Sequence, residues 1–151
     1  IQPPMVRLSK RVEYALLAVQ AMAEQAHALL SARDIAARNH ISQTLLAKVL
    51  QQLAAAGYVR SNRGVNGGYT LAQSATTISV ADIVQAVEGP DMALVDCQGS
   101  ADHECTAEHV CTIREPLAVL QERIVATLAS MSVAELANAK HLVPLVIEQQ
   151  H

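Results

Sequence analysis

The stretch RSNRGVNGGYTLA, residues 60–72, decides how this chain folds. The chain has six glycines, and Gly64, Gly67 and Gly68 fall within five residues here, close behind Arg60 and Arg63. A phosphate-cradling loop and the tip of a β-turn both concentrate glycine in this way. The phosphate loop needs a strand before it, a helix after it and the Lys-Ser/Thr ending of the Walker pattern. GVNGGYTLA has no such lysine, and its last residues alternate like a strand. YVRSNR and GYTLA, joined by the glycine turn, therefore predict a β-hairpin.

Upstream, the spacing predicts helices. Ser42 caps one whose buried stripe is Leu46, Val49, Leu50 and Leu53, and Gly57 stops it. Ser31 and Asp34 form an S-x-x-D box that opens a shorter helix over 32–39, ending near Asn39 and His40. Two helices joined by NHIS form a helix-turn-helix. Before them, Ser9 caps a helix over 9–27 with the stripe Val12, Leu16, Val19 and Ala23. Helix, helix-turn-helix and hairpin, in that order, predict a mainly α winged helix with a two-stranded β-wing.

Downstream, Ser79 and Asp82 cap a helix with Ile83, Val84 and Val87 inward, closed by Gly89-Pro90. Residues 91–111 show no periodicity. Thr112, Glu115 and Pro116 predict the start of a long helix over 113–130, striped by Leu117, Leu120, Ile124 and Leu128. Ser132 and Glu135 cap a short last helix, and the tail after it carries no assignment.

Composition narrows the function. Half of the 151 residues are apolar while aromatics are 2%, which favours helices packed closely on small residues. No run approaches the roughly 20 apolar residues of a membrane span. The residues before Met5 are left out of the fold, and the start has no apolar signal region. Three cysteines are too few and odd for a disulfide framework, so reduced thiols in a cytoplasm are expected. The net charge of −3 hides an asymmetry. Residues 1–70 hold eight Lys/Arg against three acids, and residues 71–151 hold three against eleven. A basic half beside an acidic half points to a nucleic-acid face on the first, and the winged helix makes double-stranded DNA the expected partner. An ordinary solvated surface is the alternative.

The wing and the second helix of the helix-turn-helix supply the DNA contacts. An arginine at a wing tip enters the narrow, negative minor groove. Arg63 takes that place, with Arg60 on the phosphates and Gly64, Asn66 and Gly67 bringing the backbone close. The recognition helix presents its first turn to base edges. Ser42, Gln43, Thr44 and Lys48 are its candidates, with Gln43 suited to adenine and Lys48 to a phosphate. No C-x-x-C pair, Ser-His-Asp arrangement or cofactor fingerprint is present, so no catalysis is expected.

The chain's three cysteines, Cys97, Cys105 and Cys111, all lie in CQGSADHECTAEHVC with the spacing C-x7-C-x5-C. Buried structural cysteines scatter along apolar stripes. Clustered thiolates suit an iron–sulfur cluster. His103 and His109 lie in the same stretch and keep a zinc site of three cysteines and one histidine open, so a zinc- or thiol-based regulator on the same scaffold is the alternative.

The segments RLSKRVEYALLAV, SARDIAARNHIS and LAKVLQQLAAAGYVRSNRGVNGGYTLA resemble the Rrf-two family of bacterial transcription factors over about residues 5–137. The resemblance implies a homodimeric winged-helix repressor or activator whose long helix packs on the partner's copy. Residues 5–78 would then bind DNA, residues 79–140 would hold the cysteine loop and dimerisation helix, and 1–4 and 141–151 would be tails. The cluster-binding branch of the family holds a 2Fe–2S or 4Fe–4S cluster on three cysteines and a variable fourth ligand. The usual spacing is closer to x5 then x5, so the first gap here is two residues longer. IscR-like members place a histidine three residues after the third cysteine. Arg114 stands there in this chain and cannot ligate. NsrR-like members use a carboxylate from the partner's first helix, which matches Glu13, just before Tyr14. An ion pair between Glu13 and Lys10 or Arg11 is the alternative for that acid.

Overall fold

The computed structural model describes residues 7–89 and 112–139. They form α1 (Lys10–Glu24), α2 (Ala32–Asn39), α3 (Gln43–Ala55), β1 (Val59–Asn62), β2 (Gly68–Leu71), α4 (Val80–Glu88), α5 (Arg114–Ala129) and α6 (Val133–Asn138). The serines predicted as caps are caps. Ser9, Ser31 and Ser42 each accept a backbone N–H three residues on, from Val12, Asp34 and Leu45. Ser79 with Asp82 and Ser132 with Glu135 are full capping boxes. α3 ends as glycine allows. Gly57 takes φ +84°, and Tyr58 N–H reaches Leu53 O at 3.1 Å while Gly57 N–H reaches Ala54 O.

α5 begins differently from expectation. Ile113, not Thr112, is its N-cap, and no side chain caps it. Pro116 gives the reason. A helix capped at Thr112 would take its first i→i−4 bond from residue 116, which has no N–H. One residue later that bond exists, from Leu117 N–H to Ile113 O at 2.9 Å. α1 also stops early, at Glu24. The chain turns over residues 25–28 so that Leu30 can extend beside the hairpin.

The hairpin is antiparallel, pairing Val59 with Leu71, Arg60 with Thr70, Ser61 with Tyr69 and Asn62 with Gly68. It does not alternate as a half-buried strand would. Val59 is buried, but Arg60, Ser61 and Asn62 are all exposed, because the wing leaves the core after its first residue. Its outer edge is fastened elsewhere. Leu30 N–H donates to Tyr69 O at 3.1 Å, and Tyr69 N–H donates to Leu30 O at 2.8 Å. Gly68 permits this approach, since a Cβ there would lie 2.9 Å from the Leu30 carbonyl.

One core joins these elements. On α1 the buried residues are Val12, Ala15, Ala18, Val19, Ala21 and Met22, while Leu16 and Ala23 of the expected stripe are only half-buried. The arc is shifted and widened because α3, α4 and α6 all pack on α1. The α3 stripe is as expected, with Leu46, Val49, Leu50 and Leu53 each 0% exposed. Ile83, Val84 and Val87 of α4 and Val133 of α6 complete the core. α6 is tied back by Val133 N–H to Ile78 O at 2.8 Å and by Gln20 Nε2 to Leu136 O at 3.1 Å.

α5 buries none of its residues. Leu128 packs against the core, whereas Ile113, Val119, Leu120, Val125 and Met131 are exposed on or beside this helix. Among the described residues no helix is long and apolar enough to cross a membrane.

Candidate nucleic-acid interface

The recognition helix, α3, is positioned by its own chemistry. Four leucines and valines press one face into the core and leave Gln43, Thr44 and Lys48 exposed on the other, with Ala47 half-buried. Positions 43, 44, 47 and 48 recur at helical spacing and share that face. Ser42, exposed, caps the first turn, and its own N–H donates to Tyr14 Oη of α1 at 3.5 Å. The turn before it is held by His40 in the left-handed region, φ 54°. His40 N–H and Ile41 N–H close the end of α2 on Ala37 O and Ala36 O.

The wing tip is a β-turn closed by Gly67 N–H to Gly64 O at 3.0 Å, with Val65 and Asn66 as its central residues. Gly64 takes φ +128°, which disfavours a side chain. At Gly67 the constraint is space, as a Cβ would lie 2.3 Å from Asn62 O. Arg60, Arg63, Gly64 and Asn66 are exposed and Gly67 is half-buried. Every residue of the expected DNA-facing set is thus on the recognition helix's outer face or on the wing. At the base of the wing, burial and then the Asp82 carboxylate raise the Tyr58 hydroxyl above its ordinary pKa of 10.0.

Glu13 lies exposed in the first turn of α1 and pairs with Lys10 at 3.0 Å. The same turn is bonded to the far end of α4. Ser9 Oγ donates to the Glu88 carboxylate, and Arg11 donates to Val87 O. Val87 O accepts a second bond from Gln52 Nε2 of α3, at 3.4 Å. One carbonyl therefore ties α1, the recognition helix and the end of α4 together. Cys97, Cys105, Cys111, His103 and His109 lie outside the described residues. Among the described residues no three His, Cys, Asp or Glu side chains group to hold a metal.

Four features escaped sequence reasoning: the Leu30–Tyr69 bridge, the Val87 junction, the Tyr14–Ser42 contact and the bare Val65 tip. The first three join residues far apart in the chain, where periodicity carries no signal. An apolar residue between two turn glycines was the available sign for the fourth.

Comparison with known proteins agrees with this architecture. The Rrf2 family, described as iron-dependent transcriptional regulators, matches residues 8–139. The transcriptional regulator NsrR of Geobacillus kaustophilus is 31% identical over 134 residues, covering 87% of this chain and 89% of that protein. The global cysteine regulator CymR of B. subtilis superposes with a TM-score of 0.70 at 26% identity, covering 89% of this chain and 98% of its own. T. potens IscR shares the fold, with a TM-score of 0.69 at 24% identity over 97% and 95% of the two chains. The helix-turn-helix, the glycine wing and the long helix behind them place this chain in the Rrf2 family of transcriptional regulators.

Proposed function

We propose that this chain is a homodimeric repressor that reads a two-half-site operator and holds an iron–sulfur cluster on Cys97, Cys105, Cys111 and Glu13. One observation carries the link between sensing and reading. The Val87 carbonyl bonds Arg11 of α1 and Gln52 of α3 ten residues before Cys97, the first of the three cysteines. Residues 5–78 are the reading unit, and residues 79–140 carry the cysteine segment and the helix of the subunit seam.

The donor set suits such a cluster. Three thiolates concentrate in one segment, and the exposed Glu13 carboxylate is a harder donor that exchanges more readily. Its pair with Lys10 is no obstacle, since exposed ion pairs contribute about 0–1 kcal/mol. A bound cluster supplies a tie between protein segments that iron supply, redox state or nitric oxide can alter. The chain's own residues do the rest. Ser42, Gln43, Thr44 and Lys48 meet the major groove, Arg60 and the Gly64–Gly67 turn meet the sugar-phosphate wall, and Arg63 enters the minor groove. A shift of α1 moves the recognition helix through Tyr14 and Ser42. In a dimer it changes the spacing of two reading heads set for half-sites about 34–36 Å apart.

Anaerobic purification with a visible spectrum and iron and sulfide analysis tests the cofactor. A colourless protein carrying zinc would replace the cluster by a zinc site with His103 or His109. Glu13→Ala is expected to keep the fold and the dimer, shift the visible spectrum and narrow the difference in DNA affinity between cluster-bound and cluster-free forms. His103→Ala and His109→Ala are expected to do neither. The opposite pattern would make the fourth ligand local and remove α1 from the coupling.

A further inference from the structure

Among the described residues, the large apolar side chains left at the surface fall mainly on or beside α5, the face assigned to a second copy. Val65 stands apart from them. It occupies the tip of the wing and is 105% exposed, against 36–57% for the other exposed large apolar residues. Nothing in the fold asks for it. The Gly67 to Gly64 hydrogen bond closes the turn, and its steric demands fall on the two glycines. Position 65 is a central turn position with ordinary φ, where a polar residue would be better solvated.

What Val65 offers is a stiff apolar knob. Its branched Cβ restricts χ1, so burying it costs little side-chain freedom. Arg63 lies two residues before it and Asn66 directly after, both exposed. An apolar knob beside a cation fits a slot with anionic walls, and the DNA minor groove is such a slot. Along its floor, A·T and T·A pairs present only acceptors, whereas G·C adds the guanine N2 amino group. Valine has no atom to accept that N–H. Pressed against it, the side chain would strip its water and leave a donor unpaired.

We infer that Val65 is a specificity residue that enters the minor groove and selects against guanine there, an inference that rests on the proposed DNA-binding role. Arg63 supplies the attraction to a narrow, negative groove. Val65 supplies the rejection.

The test begins with duplexes that the protein itself enriches from a random-sequence pool. Each pair at the flanks of the half-sites is then set in turn to A·T, G·C or inosine·C. Inosine keeps the major-groove edge of guanine and lacks its N2 amino group. At the pair under the wing, the wild-type protein is expected to bind A·T and inosine·C alike and G·C about tenfold more weakly, within the range of one base-reading contact. Val65→Ser is expected to shrink that gap to within about threefold, with an unchanged thermal midpoint, because the contact no longer rejects the amino group. Arg63→Ala is expected to weaken all three duplexes, most where the groove is narrow, and to leave a remaining gap that Val65→Ser removes. An inosine·C duplex that binds like G·C, or a gap that survives Val65→Ser, overturns the role of Val65 while DNA binding stands. A pool from which nothing is enriched overturns the DNA reading itself.

Discussion

At Gly68 a single hydrogen stands where any side chain would press on the backbone of Leu30. A Cβ there meets the Leu30 carbonyl carbon and oxygen at 2.9 Å, and neither can rotate away. Gly68→Ala is therefore expected to push the wing off its bridge and destabilise the protein by about 1–3 kcal/mol, the usual range for an overpacked site. Chemical denaturation measures it, and an unchanged midpoint would show that the bridge gives way freely. Tyr58 is the other residue with a measurable signature. Its raised pKa means that the folded state holds the phenolic proton more tightly than the unfolded chain. The stabilisation is complete below the ordinary value of 10.0 and is lost as pH rises through the folded value. Urea midpoints are expected to fall as pH passes 10.0, and Tyr58→Phe to remove that part of the decline. At this scale the sequence showed which residues are polar and which are small. It did not show that Gly68 faces Leu30 across 38 residues, because a close approach between distant segments leaves no mark on local spacing.

Among the elements, α5 sets the sharpest contrast. Leu120 and Leu128 lie on the same predicted stripe, yet Leu120 is 46% exposed and Leu128 packs on the core. A charge at each is expected to do different things. Leu120→Glu should split the proposed dimer and leave the subunit folded, as read by sedimentation and a thermal scan. Leu128→Glu should lower the thermal midpoint as well, since it puts a charge against apolar packing. A Leu120→Glu protein that sediments as the wild-type dimer would move the seam elsewhere. The helices were legible because each serine cap and each apolar stripe is a local signal. The start of α5 was not, as the missing N–H of Pro116 outweighed a sound-looking capping pattern at Thr112. The wing was legible as a hairpin from its glycines. Its burial was not, because alternation presumes a strand lying on a core, and this one projects from it.

For the whole molecule, the measurable quantity is charge brought to DNA. In the proposed dimer, Lys48, Arg60 and Arg63 from two subunits would neutralise about six phosphates, for an expected log–log salt slope near −5. Equilibrium titrations across a salt series check it, and a flat dependence would remove the DNA reading. The asymmetry of charge and the cluster of cysteines were visible along the chain. The junction at Val87 was not, because it joins Arg11 and Gln52 to a carbonyl 76 and 35 residues away. The bridge between Leu30 and Tyr69 bears on the speed of recognition. A hairpin of two four-residue strands is marginal in water when alone. Held along its outer edge, this one would meet DNA already shaped if it makes the proposed contact, with its ordering entropy settled during folding and not at encounter. Encounter is then limited by diffusion and orientation, and the amides of Leu30 and Tyr69 should be the wing's slowest to exchange with deuterium.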